Sequence, residues 1–189
     1  MMRVVAAMLV AMCAGAGAVE AGELADAGAL AEAQVAGHRY LEALATLVRA
    51  EDSVWEEIPL SFRKALFVAS DPKGFGLYDV HQGDTFKRAD PIIVYAEPVG
   101  YGFAKQGDLN IIDLSVDFEL RTKDGRPVGN GKNVASPGLR SHAENREFSI
   151  NVVYDFSTLP AGSYEVTTTV SDRTTGKSGS FSLPFTLIE

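Results

Sequence analysis

Apolar and polar residues alternate without interruption from Ile112 to Leu120. In an extended strand, successive side chains point to opposite faces of the sheet, so the apolar set is expected on one face and the polar set on the other. This division is typical of a strand with one side in the protein core and the other in water. The run therefore predicts a long β-strand that is central to the fold.

The same period of two recurs through the C-terminal two-thirds of the chain, in short runs that turn residues separate. The stretch 126–146 is polar, rich in glycine and asparagine, and without a clear period. It is expected to be a long connection that is either mobile or functional. Seven strands are predicted, at residues 62–69, 75–80, 91–97, 110–121, 147–156, 163–171 and 180–188.

A turn ends at Gly162, and Tyr164 follows two residues later at the start of a predicted strand. This arrangement indicates a tyrosine corner, in which the phenol hydroxyl donates a hydrogen bond to backbone a few residues upstream. The feature is typical of immunoglobulin-like domains. The predicted fold class is therefore mainly β: an immunoglobulin-like antiparallel β-sandwich of about seven strands, preceded by one α-helix.

That helix is predicted over residues 28–50, where apolar residues recur at intervals of three and four and alanine is abundant. Glu51, Asp52 and Ser53 are expected to end it. The helix could serve for docking or dimerisation. We favour a spacer or cap that lies against the sandwich, because an amphipathic helix usually covers the core of its own chain.

The first residues read as an export signal. Arg3 supplies a positive charge, an apolar run extends from Val4 to Met12, and small residues follow as far as Ala18. Cleavage is predicted after Ala18, with Ala21 as the next choice. The apolar run is too short for a bilayer whose hydrocarbon core is about 30 Å thick, so no transmembrane span is expected after cleavage.

The predicted location is therefore the bacterial periplasm or the medium outside the cell. The one cysteine of the chain, Cys13, lies inside the signal. A lipoprotein anchored through Cys13 is the less favoured alternative, because Met12 stands where a lipobox has a small residue. With cleavage after Ala18 the mature chain has no cysteine, so its stability must come from the core.

Composition is that of a folded, acidic protein. Hydrophobic residues make up 46% of the chain and charged residues 22%, and the net charge is -8. An acidic surface repels phosphate backbones, which disfavours binding to nucleic acid. We expect three segments: a signal peptide at 1–18, a helical segment at 19–58 and the β-sandwich at 59–189.

A set of aromatic, glycine and proline motifs carries a resemblance to known proteins. These motifs are Trp55, Pro59-Leu60-Ser61-Phe62-Arg63, Gly74-Phe75-Gly76-Leu77-Tyr78, Phe86, Tyr95-Ala96-Glu97-Pro98, Gly100-Tyr101-Gly102, Asp124-Gly125 and Leu183-Pro184-Phe185. The pattern resembles uncharacterised exported bacterial proteins with an immunoglobulin-like C-terminal β-sandwich. The resemblance covers the chain from Trp55 onward. It implies export and that fold, and it implies no activity.

Carboxylates are the main candidates for catalysis. Asp113, Asp117, Glu97 and Glu144 could supply a paired-carboxylate hydrolase site, which would need a cleft and one desolvated acid. Alternation places Asp113 and Asp117 on the polar face of their strand, so we favour a solvated sheet surface. No catalytic residue is assigned, and an enzyme is the less favoured class.

The three histidines give no sign of a metal site. His38, His81 and His142 lack the spacing of a zinc site or of a two-histidine-carboxylate site. The glycines match neither a P-loop nor a dinucleotide-binding fingerprint. We therefore predict no metal and no cofactor.

Two elements combine rings with glycines, at residues 74–78 and 100–103. Phe75, Tyr78, Tyr101 and Phe103 could form a platform for a sugar or a peptide, because flanking glycines leave the faces of a ring free. Alternatively, the rings plug the ends of the sandwich while the glycines form turns or bulges. Burial of Phe75, Tyr78 and Tyr101 together would exclude the platform.

These patterns favour a non-catalytic exported protein of the cell envelope that binds a protein or a glycan. A carboxylate-dependent hydrolase and a structural module that dimerises through its helix are the two alternatives. The sequence does not predict an oligomeric state.

Overall fold

The computed structural model describes residues 22–189. Its contacts divide the chain into two units, Met1–Glu57 and Ile58–Glu189. The predicted signal peptide, its cleavage site and Cys13 lie outside the described residues.

Residues 22–57, the described part of the first unit, contain two helices, α1 at Glu23–Ala36 and α2 at Tyr40–Glu57. The prediction of one helix over 28–50 was wrong at both ends and at its centre. Gly37 ends α1, and His38 follows with a φ of 58° that no helix continues. The helix does not stop at residues 51–53, because glutamate forms helices well and a single Asp or Ser weakens one only slightly.

Small side chains form the seam between the two helices. Ala31 and Ala43 are buried, and the buried Thr46 hydroxyl donates a 3.0 Å hydrogen bond to the Gln34 side chain. Small residues let two helix backbones approach each other closely. The leucines and valines of residues 22–57 are exposed, whereas Trp55 is buried.

The Ile58–Glu189 unit is mainly β. Its strands are β1 (Ser61–Val68), β2 (Thr85–Lys87), β3 (Ile92–Val99), β4 (Ala104–Gln106), β5 (Leu109–Thr122), β6 (Pro127–Ala135), β7 (Gly138–Ser141), β8 (Ile150–Tyr154), β9 (Gly162–Asp172) and β10 (Ser178–Ile188). The described residues thus hold ten strands where about seven were predicted.

Two of the sequence predictions fail here. Residues 75–80 belong to a loop and form no strand, although Gly74 and Leu77 make an isolated bridge. The stretch 126–146, predicted as a connection, contains β6 and β7, which both pair with β5. Most residues of β6 are exposed, so this strand depends on backbone pairing and shows no apolar period.

The strands form two sheets. One has the order β1-β3-β8, and the other has the order β2-β10-β9-β5-β4 with β6 and β7 also on β5. All pairs are antiparallel except β2 with β10, which is parallel.

The two sheets face each other through rings. Phe118 of β5 contacts Tyr154 of β8 with ring centroids 5.2 Å apart, and Phe67 of β1 lies 6.4 Å from Phe185 of β10. The alternation predicted for residues 112–120 is confirmed: Ile112, Leu114, Val116 and Leu120 are buried and Phe118 is half-buried. Burial of this apolar face is the main stabilising contribution to the unit.

The hydrogen bond predicted for Tyr164 is confirmed. Its hydroxyl donates to the backbone carbonyl of Pro160 at 2.8 Å, four residues upstream. The ring itself is buried at the start of β9 and lies 5.7 Å from the ring of Phe185. The bond fixes the turn that leads into β9.

Candidate functional site

The structure places the four predicted ligand-binding rings in different environments. Tyr101 is 1% exposed, and its hydroxyl donates a 2.8 Å hydrogen bond to the backbone carbonyl of Asn145. Burial raises the pKa of this phenol. Tyr101 therefore presents no exposed ring face, and ligand binding at this residue stays a prediction.

The other three rings are half-buried. Phe103 packs edge-on against Tyr101 with centroids 5.6 Å apart. Tyr78 lies against Tyr95 at 4.3 Å, and the Lys64 ammonium group lies 5.7 Å from the Tyr78 ring centroid. These contacts leave little of the Tyr78 ring face for a sugar. Ligand binding by Phe75, Tyr78 and Phe103 stays a prediction.

Phe75 and Tyr78 belong to a compact loop of residues 70–80, which we call the 70–80 loop. Backbone hydrogen bonds close it at its base, where Ala69 N–H donates to Asp79 at 2.8 Å and His81 N–H donates to Phe67 at 3.0 Å. A further bond crosses its middle, from Lys73 N–H to the Leu77 carbonyl at 2.8 Å. The loop is therefore closed like an Ω-loop.

The tip of the 70–80 loop turns at Gly76, whose φ of 70° favours glycine. The Gly76 N–H donates to the hydroxyl of Tyr95 at 2.8 Å, and that hydroxyl donates to the Glu97 carboxylate at 2.9 Å. Tyr95 and Glu97 are both buried in β3. Burial and the neighbouring carboxylate raise the pKa of Tyr95, which stays a neutral donor. The tip is thus tied to the sheet.

The loop presents apolar side chains to solvent. Leu77 is 62% exposed, and Val80 is exposed as well. Beside them lies a shallow depression of about 330 Å³ whose lining includes Asp71, Lys73 and Tyr78. Leu77 is therefore an exposed apolar residue on a loop that backbone hydrogen bonds close, next to a depression lined by charges of both signs.

The four carboxylates that could supply a hydrolase site each contact different partners. Asp113 pairs with Arg173 at 2.6 Å, and Glu144 pairs with Lys105 at 3.2 Å. Glu97 accepts the hydrogen bond from Tyr95.

Asp117, the fourth candidate, accepts a 2.8 Å hydrogen bond from Lys132 and a 2.7 Å bond from the N–H of Asn133. These bonds hold the pKa of Asp117 below its ordinary value. Four depressions in the surface of residues 22–189 have linings that include none of the four candidate carboxylates.

The histidines have ordinary surroundings. His38 contacts Tyr40, His81 stacks on Phe86 at 4.2 Å, and His142 lies 3.3 Å from Asp108. Within residues 22–189, no group of three or more His, Cys, Asp or Glu side chains could hold a metal ion. Over the same residues, no helix is both long enough and apolar enough to cross a membrane.

Sequence reasoning missed the residues that build the 70–80 loop into a site. Leu77 was read as part of a strand, and the support from Tyr95 and Glu97 was not foreseen. The sequence did carry one signal for this support. Tyr95 and Glu97 are two residues apart on a predicted strand, so their side chains share a face and could form a hydrogen bond.

No protein family and no curated protein matches this chain. The resemblance to exported bacterial proteins therefore stays a prediction.

Proposed function

We propose that the Ile58–Glu189 unit is an immunoglobulin-like β-sandwich. The order β1-β3-β8 corresponds to strands A, B and E of that fold, and the order β10-β9-β5-β6 corresponds to G, F, C and C′. The tyrosine corner of Tyr164 stands on β9, the strand that would be F, as the fold requires.

On this scaffold, we propose a non-catalytic binding protein of the cell envelope whose partner is another protein. The observation that carries the proposal is the 70–80 loop, a closed loop that presents Leu77 while its tip is held by Tyr95. A loop fixed before binding loses little conformational entropy in the complex, which favours affinity. Loops on a rigid sandwich are a common place for such sites.

A protein partner fits this surface better than a glycan. Sugar binding would need accessible ring faces, but Tyr101 is buried and Tyr78 is occupied by Tyr95 and Lys64. An exposed leucine can instead be buried in an apolar pocket on a partner, which is favourable because apolar surface leaves water. The envelope location rests on the predicted signal peptide.

Capture from an envelope extract tests this proposal. The immobilised full chain should retain a discrete protein, and Leu77→Asp should reduce its capture at least about tenfold, because a charge replaces the apolar anchor. Val153→Asp is the matched control, since Val153 is also an exposed apolar residue of the β unit. It should capture as much as the wild type.

Equal capture by the wild type and Leu77→Asp would contradict the proposal. Retention that survives protease treatment of the extract but not removal of its polysaccharide would assign a glycan as the partner instead.

A further inference from the structure

Within residues 22–57, the leucines and valines are exposed, whereas Trp55 is buried. Ala31, Gln34, Ala43 and Thr46 fill the seam between α1 and α2. The exposed large apolar residues of the two helices are Leu24, Leu30, Val35, Tyr40, Leu41, Leu44, Leu47, Val48 and Val54. Leu41 alone is 83% exposed. A pair of helices normally packs its leucines and valines in the seam and leaves smaller or polar residues exposed.

These residues are concentrated on one side. On α2, Tyr40, Leu44, Leu47 and Val48 are spaced by three, four and seven, so they share a face. The three-residue connection between the helices makes them antiparallel neighbours.

On α1, Leu24 and Val35 lie three turns apart, so they share a side of that helix. When α1 and α2 pack against each other through Ala31 and Ala43, the angular positions of the side chains place this side of α1 next to the exposed face of α2. We call the resulting surface the hairpin face. Its residues are Leu24, Val35, Tyr40, Leu41, Leu44, Leu47, Val48 and Val54.

We propose that the hairpin face binds the hairpin face of a second copy of this chain, to form an antiparallel four-helix bundle. The exposed fractions of its residues correspond to roughly 800 Å² of accessible surface, an upper bound that is comparable to the area that each partner buries in a stable interface of standard size. Their predominantly aliphatic character is typical of the core of such a bundle. The proposal concerns a surface separate from the 70–80 loop, so each can fail without the other.

Charge disfavours an anionic membrane as the partner of the hairpin face. Residues 22–57 contain eight acidic residues and two arginines, which an anionic lipid surface would repel. Arg39 precedes α2 and pairs with Glu42 at 3.1 Å, so it offers little attraction to lipid headgroups.

The mass of the full chain in solution as a function of its concentration tests the proposal. Sedimentation should show a shift from one 20.2 kDa chain to two as concentration rises. Leu44→Glu should raise the dissociation constant of the dimer at least about tenfold, because it buries a charge at the centre of the interface. Val153→Glu is the matched control, since Val153 is 54% exposed and Leu44 is 59% exposed.

The control should dimerise like the wild type. Both substituted positions are exposed, so the far-ultraviolet circular dichroism of each variant should match that of the wild type. Leu41→Glu provides a second variant of the hairpin face with the same expected loss.

Disulfide cross-linking tests the antiparallel arrangement. A two-fold axis near the middle of the face brings Leu47 close to its counterpart and keeps the two copies of Leu41 apart. Leu47→Cys should therefore form a cross-linked dimer on mild oxidation, and Leu41→Cys should form far less. The wild-type chain measures any contribution from Cys13.

A single chain at every concentration would overturn the proposal. It would also be overturned if the full chain bound vesicles of zwitterionic lipid and Leu44→Glu abolished that binding, because the face would then meet a membrane. Equal cross-linking at positions 47 and 41 would exclude the antiparallel arrangement.

Discussion

Tyr95 connects the candidate binding loop to the sheet through a single hydroxyl. Tyr95→Phe removes the partner of the Gly76 N–H and of the buried Glu97 carboxylate, so we expect a loss of about 1–3 kcal/mol in the free energy of unfolding. Hydrogen exchange in the 70–80 loop should also become faster. Urea unfolding and amide exchange measure the two effects.

Tyr154→Phe is the control for that experiment. The Tyr154 hydroxyl is also buried and shares a 2.8 Å hydrogen bond with Thr168, away from the loop. It should lower stability without changing exchange in the 70–80 loop. The same exchange rates in the loop for wild type and Tyr95→Phe would mean that Tyr95 does not hold the tip.

Asp117 makes stability depend on pH through its bonds to Lys132 and Asn133. The folded pKa lies below the unfolded one, so the contribution is present above the unfolded pKa and is lost as pH falls through the folded pKa. Asp117→Asn should cost a few tenths to about 1 kcal/mol in the free energy of unfolding at neutral pH, as partly exposed pairs do. The difference from wild type should vanish in acid, and a difference that stays constant with pH would contradict this account.

At the scale of elements, the turn after β3 depends on a glycine. Gly100 has a φ of 79°, and a Cβ there would lie 2.7 Å from the carbonyl oxygen of Ile58. Gly83 has the same φ and no atom within 4 Å of that position. Gly83→Ala should therefore cost about 1 kcal/mol from backbone strain alone. Gly100→Ala should cost about 2–4 kcal/mol, because the backbone must also move.

Thermal unfolding of the two alanine variants measures the difference. Equal losses of stability in the two variants would show that the Ile58 carbonyl can move away from a Cβ at position 100 without a free-energy cost.

Elements whose apolar face is buried could be predicted from the sequence, and others could not. The strand at 109–122 shows its alternation because one face meets the core. In contrast, β6 is paired through its backbone while its side chains meet water on most positions, so selection for a period of two is weak. The break between α1 and α2 depends on the positive φ of His38. The spacing of apolar residues in a helix contains no information on that backbone angle.

For the candidate site, the motif of rings and glycines indicated the right segment of the chain but did not indicate which residue is exposed there. The sequence predicted a strand at 75–80, whereas the chain turns at Gly76, which adopts a positive φ. Which side chain the turn exposes depends on the tertiary bond from Gly76 to Tyr95, nineteen residues away. The pattern of neighbours along the chain contains no information on such a contact, so Leu77 was missed.

At the scale of the whole molecule, all ten strands and the ring cluster between the sheets lie in the Ile58–Glu189 unit. With 132 residues, from 58 to 189, the unit has the size of a single cooperative domain. A chain of residues 58–189 should therefore fold alone, with a β-type circular dichroism spectrum and one urea transition. Leu114→Ala in that chain should lower the free energy of unfolding by about 2–5 kcal/mol, because Leu114 is completely buried where the two sheets meet.

Val153→Ala, at an exposed position of β8, should change the free energy of unfolding by less than about 0.5 kcal/mol. A broad transition without cooperativity would show that the β unit needs the helices to fold. In that case the cost of Leu114→Ala would have to be measured in the full chain, where burial of the same side chain predicts the same loss.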